Sequence, residues 1–103
     1  MAQVANIKDI VAYQDGTVVS KEITSRPSGT VRIFAFDEGQ GLGQHTEPSD
    51  ALLRVLDGAA MLTTTDKVRH LKEGEMVVMP AGEPYALTAM EKFKMMLVTA
   101  PAL

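Results

Sequence analysis

Gly39-Gln-Gly-Leu-Gly-Gln-His45-Thr-Glu47-Pro-Ser-Asp-Ala51, running on to Asp57-Gly58, is answered fifteen residues later by Gly74 and then Pro80-Ala-Gly82-Glu-Pro-Tyr85. Both phrases set turn formers at intervals and leave short apolar segments between them. Asp57-Gly58 is a hairpin signal, because glycine takes the positive φ that such a turn demands. Pro80 and Gly82 mark a turn ahead of the segment that carries Tyr85.

The same rhythm runs outward in both directions. Asp15-Gly16, Pro27-Ser-Gly29, Asp37-Glu-Gly39, Thr65-Asp66 and Glu73-Gly74 continue it at intervals of about eight to twelve residues, as in an all-β sandwich or barrel. The segments between them, Val18–Thr24, Val31–Phe36, Ala51–Leu56, Met76–Met79 and Phe93–Thr99, are rich in β-branched and aromatic residues. The expectation is eight to eleven antiparallel strands, with almost no helix beyond the first dozen residues. Ile7, Ile10 and Val11 have helical spacing but run into the turn at Tyr13-Gln-Asp-Gly16, so a short helical or extended lead-in is expected there.

Alternation assigns faces. Val31, Ile33 and Ala35 share one face of their strand and Arg32, Phe34 and Phe36 the other; Ala51, Leu53 and Val55 oppose Leu52, Arg54 and Leu56. Both faces carry apolar bulk, which asks for cover on both sides. A homodimer joined through Phe34, Phe36, Leu52 and Leu56 is the economical expectation.

Composition narrows the function. The 103 residues form one domain, 1–103, and contain no Cys, which excludes disulfides, thiolate metal sites and a cysteine nucleophile and fits a reducing compartment. The start lacks a basic, apolar leader, and no window of about 18 apolar residues occurs, so a cytoplasmic protein without membrane association is expected. Ten Lys plus Arg against thirteen Asp plus Glu give a net charge of −3, with the cations scattered. That argues against nucleic acid as a partner.

The two phrases resemble the paired motifs of the cupin family, the first over residues 39–58 and the second over 74–89. In that family the first reads Gly, five residues, His, one, His, three or four, Glu, six, Gly; the second reads Gly, five, Pro, one, Gly, two, His, three, Asn. Every spacing and every Gly and Pro is kept here, but Glu47, Ala51 and Tyr85 stand where the family has His, Glu and His, and Ala89 replaces the Asn. The chain also resembles a group of small bacterial and archaeal cupins through Ser20-Lys21, Phe36-Asp-Glu-Gly-Gln40, His45-Thr46, Asp50-Ala51, Met79-Pro-Ala81 and Phe93-Lys-Met95. The resemblance implies an antiparallel double-stranded β-helix, the cupin jelly-roll barrel, with His45, Glu47, Ala51 and Tyr85 brought together.

His45 holds the motif's first ligand position and is read as a metal ligand or pocket acid–base; a satisfied core imidazole is the bland alternative. Glu47 is a carboxylate ligand, a proton acceptor or a solvated loop residue. Tyr85 is a pocket-lining phenol. His70 is expected to be solvated on an edge strand, as is the basic run Lys67, Arg69 and Lys72, while Met61, Met76, Met79, Met95 and Met96 are core or interface filler.

A protein metal site generally takes three or four ligands, and His45 and Glu47 are the metal candidates available. No cofactor is therefore expected, with a divalent metal (Zn, Mn, Fe or Ni) as the alternative. The reading adopted is a small cupin-domain protein that binds a small organic ligand in its barrel pocket against His45, Glu47 and Tyr85. The alternatives are an isomerase- or epimerase-like enzyme, in which His45 takes a proton and Tyr85 returns one as the similar sugar-epimerase cupins do, a dioxygenase-like metalloenzyme, and a degraded metalloenzyme kept as a dimeric partner.

Overall fold

The computed structural model describes residues 4–100. Its nine strands are β1 (Val18–Arg26), β2 (Gly29–Phe36), β3 (Gly41–His45), β4 (Asp50–Asp57), β5 (Ala59–Thr64), β6 (Val68–Lys72), β7 (Met76–Met79), β8 (Tyr85–Ala89) and β9 (Phe93–Ala100). The first sheet has the order β1-β2-β9-β4-β7 and the second β3-β8-β5-β6, and the pairings are antiparallel. This is the expected all-β jelly roll. A single 3-10 turn, Ile7–Asp9, capped by the Asn6 side chain, is the helical lead-in.

Gly58 shows why the frame is written in glycine. It turns β4 into β5 at φ 73°, and a Cβ there would lie 1.8 Å from the carbonyl oxygen of Lys92. Both the positive φ and the close approach exclude a side chain.

The space between the sheets is filled. Phe34 and Phe36 from β2, Ala51, Leu53 and Val55 from β4, Leu62 from β5, Leu87 from β8, and Phe93, Met95 and Leu97 from β9 form one buried cluster with Tyr85. The aromatic rings of Phe34, Phe36 and Phe93 run in series, with centroids 5.9 and 5.4 Å apart.

A second, smaller cluster lies on the outer face of the first sheet. There Val11, with Ile10 and Tyr13 beside it, covers Ile33, Ala35, Leu56 and Met96. Polar contacts hold the segment: Tyr13 Oη donates to Asp57 Oδ2 at 2.6 Å, Lys94 lies 4.9 Å above the Tyr13 ring and donates to Lys8 O, and Lys8 pairs with Glu73 at 3.3 Å. Burial first, and the Asp57 carboxylate second, push the Tyr13 phenol well above its ordinary range.

These two clusters correct the expected dimer contacts. Phe34 and Phe36 point into the barrel at 8% and 0% exposure, and Leu56 is buried under the chain's own first residues; Leu52 alone of the four remains outward and partly open. Period 2 separates the faces correctly but cannot say which is interior when both are apolar. Met79 and Met95 are core filler and Met96 belongs to the outer cluster, whereas Met76 is 54% exposed.

Candidate functional site

β3 and β8 are adjacent, and their register sets His45 directly opposite Tyr85. An irregularity between Leu42 and His45 re-aims the end of β3, so that Leu42 packs on the core while the His45 ring meets the Tyr85 ring at a centroid distance of 4.4 Å. Two hydrogen bonds tie the loop before β8 to the loop after β3: Gly82 N–H donates to Glu47 O at 2.9 Å and Ala81 N–H to Asp50 Oδ1 at 2.8 Å. The Pro80-Ala-Gly82 turn therefore positions Glu47 as well as Tyr85.

The donor roles of His45 follow from its neighbours. Nδ1 lies 2.9 Å from Gly43 O, and a carbonyl only accepts, so Nδ1 carries the proton. Nε2 is left facing Glu47 Oε1 at 3.5 Å. When protonated it donates to that carboxylate; when neutral it offers a lone pair to whatever enters. Both side chains are part-open, at 34% and 26%.

Tyr85 is enclosed. It is 1% exposed, and its Oη is buried with no hydrogen-bond partner. Burial, and then the nearby Glu47 charge, push the phenol up to about 12, so it stays protonated at neutral pH. A groove of about 390 Å³ runs beside it, lined by Gln44, Thr63, Thr64, Pro84 and Ala86 among others.

His45, Glu47 and Tyr85 thus meet at one end of the barrel. Ala51 lies on the inner face at 0% exposure, and its methyl occupies the position where the family motif places a carboxylate. Among the described residues no three of His, Cys, Asp and Glu converge on one point. The donor set does not fit a resident metal: one imidazole and one carboxylate fall short of the usual three or four ligands, and a phenol held protonated to about 12 is a poor third. His70 is exposed on β6, as are Arg69 and Lys72, and Lys67 is exposed in the turn that leads into that strand.

The inner face of the first sheet adds polar groups at the same end. Arg32 shares the face of Phe34 and Phe36 and pairs with Glu22 at 3.6 Å; two residues away on the same face, the Thr30 and Thr99 hydroxyls hydrogen-bond across β2 and β9. Thr64, the cross-strand partner of Tyr85, joins from the second sheet. The sequence places Arg32 in line with Phe34 and Phe36, but only the structure shows that this face is the inner one. Thr30, Thr64 and Thr99 carry no signal in the sequence, because threonine is ordinary in strands.

Residues 32–100 match the cupin domain family. A conserved protein of unknown function from Streptococcus pyogenes superimposes with a TM-score of 0.91 at 34% identity, over 97% of this chain and 88% of that one. A cupin 2 conserved barrel domain protein from Leptotrichia buccalis gives 0.90 at 37% identity over 93% of this chain, which spans 47% of that protein. A salicylate 1,2-dioxygenase from Pseudaminobacter salicylatoxidans shares the fold alone, at a TM-score of 0.75 and 17% identity, over 81% of this chain and 26% of the enzyme. No curated protein matches. With the motif glycines at their turns, the two sheets in jelly-roll order and a family match over most of its length, this chain belongs to the cupin domain family.

Proposed function

We propose that the chain binds a small organic molecule at the barrel end formed by His45, Glu47 and Tyr85, without a resident metal. The carrying observation is the Tyr85 hydroxyl, buried and unpartnered beneath the His45–Glu47 pair. A buried hydroxyl without a partner costs about 1–3 kcal/mol, which a ligand recovers by supplying one. The His45 ring packs against the Tyr85 ring and is a third open, so a ligand that reaches this end meets both side chains. The ligand that fits carries a carbonyl or ether oxygen to accept from Tyr85 and a hydroxyl to donate to Glu47. His45 Nε2 supplies an acceptor or donor between them. The dioxygenase similarity is confined to fold and does not bring its chemistry here.

The test is a thermal-shift screen of hydroxy- and keto-compounds on tag-free protein, run with and without EDTA. Stabilisation that survives EDTA and disappears in Tyr85→Phe supports the reading. A stoichiometric copurified metal, with several degrees of melting temperature lost on chelation, overturns it and moves a metalloenzyme to first place.

A further inference from the structure

Charge reaches the inner face of the first sheet in one row. Cross-strand partners share a face, so the register sets Glu22 beside Arg32, Arg32 beside Leu97 and Leu97 beside Leu53, all turned inward. Among the described residues Arg32 is the one cation on this face: Lys21, Arg26 and Lys94 stand opposite Ile33, Gly29 and Ala35, and Arg54 opposite Met96, on the outward side. The next inward row toward the barrel mouth holds Thr30, Thr99 and Ala51. It is tied to the site, because Ala51 follows Asp50, whose carboxylate accepts from Ala81 N–H in the same pair of loops that seats Glu47 and Tyr85.

The Arg32 guanidinium is not used up within the fold. Its contact with Glu22 is 3.6 Å long, beyond hydrogen-bond distance, and the two side chains are 51% and 47% exposed. Its planar fork of N–H donors is left for an acceptor of matching shape. The Thr30 and Thr99 hydroxyls lie 2.5 Å apart, and the bond between them uses one of their two protons, so the second remains to donate. Ala51 contributes by what it lacks: a carboxylate at that position would stand opposite Thr99 and next to the Arg32 row, and the methyl leaves the face without one.

We infer that the ligand of this site is a small hydroxy acid, its carboxylate held by the Arg32 guanidinium and a threonine hydroxyl. The inference rests on the binding reading above and adds the ligand's charge and orientation. One hydroxyl group can accept from Tyr85 Oη and donate to Glu47 at once. Glu47 repels an anion, so the acid enters with its hydroxyl toward Tyr85 and Glu47 and its carboxylate toward β2. Facing sheets lie about 10 Å apart, a gap that an arginine side chain and one small acid cross together. Binding exchanges the long contact with Glu22 for a bidentate one.

Calorimetry in EDTA decides it, using two- to six-carbon hydroxy acids, each paired with its primary amide, as lactate with lactamide. The acid is expected to bind about tenfold or more tighter than the amide, with the difference shrinking as salt is added. Arg32→Gln is expected to remove that preference while leaving the amide's affinity within about twofold. Glu22→Gln, which relieves the guanidinium of its competitor, is expected to raise acid affinity, whereas a purely structural ion pair would make the two substitutions act alike. Arg54→Gln, on the outward face of β4, serves as the control and changes neither affinity. Equal binding of acid and amide, or a preference that survives Arg32→Gln, overturns the inference and leaves the site reading standing. Failure of every acid and every amide to bind overturns the site reading and this inference with it.

Discussion

Tyr85 illustrates how one side chain can be both a liability to the fold and the centre of a site. Its ring fills core volume, while its Oη is buried without a partner. Tyr85→Phe keeps the ring and removes the orphaned hydroxyl. We expect denaturant unfolding to show stability unchanged or raised by about 1 kcal/mol, with ligand binding lost. A loss of more than that would mean the hydroxyl has a partner in solution. The phenol also sets a pH dependence of known sign. Its folded value is pushed from 10.0 up to about 12, so between pH 10 and 12 the folded chain retains a proton that the unfolded chain releases. Stability is fully present below pH 10 and falls as pH rises through 12. Tyr13, raised by burial and by Asp57, acts in the same direction. Urea unfolding followed upward from neutral pH should show this decline, and Tyr85→Phe should make it shallower.

At the scale of elements, two devices hold the sheets in place. The turn at Gly58 joins the sheets where β4 passes into β5, and it leaves no room for a Cβ. Gly58→Ala combines a strained positive φ with a backbone collision, and is expected to cost at least about 3 kcal/mol, read as a lower denaturation midpoint. Gly43→Ala, where nothing lies within 4 Å, is the matching control. The second device is the segment leading to β1. Tyr13→Phe strands the Asp57 carboxylate and is expected to cost about 1.5 kcal/mol, with faster amide exchange confined to residues near Val11 and the strands beneath it. Uniform acceleration across all nine strands would show that the segment is part of the global unit instead.

At the scale of the whole molecule, the barrel has the strand order and turn glycines of a cupin, with packing residues at two of the motif's ligand positions. Ala51 is small where the motif has Glu, Tyr85 is large where it has His, and both belong to the same buried cluster. The double substitution Tyr85→His with Ala51→Glu is therefore expected to place a second imidazole and a second carboxylate beside His45 and Glu47, and to raise Zn²⁺ or Mn²⁺ affinity sharply by calorimetry. The parent is expected to bind these ions weakly, with a melting temperature that EDTA leaves nearly unchanged. Tight metal binding by the parent would contradict the site described here.

Much of this was legible along the chain. Turn positions are dictated locally, since glycine and proline alter the backbone at their own residue, and so Asp57-Gly58 and Pro80-Ala-Gly82 marked the frame before any strand was placed. The motif spacing, read through family resemblance, also brought His45, Glu47 and Tyr85 together correctly. Which apolar face of β2 is interior was decided only in three dimensions, because alternation is symmetric and Phe34 and Ile33 are equally apolar. The covering of Leu56 by Val11 likewise depends on how segments far apart in sequence meet on one sheet. The orphaned Tyr85 hydroxyl belongs to the same class: a phenol in a sequence has no partner or lack of one until the surrounding chain has closed over it.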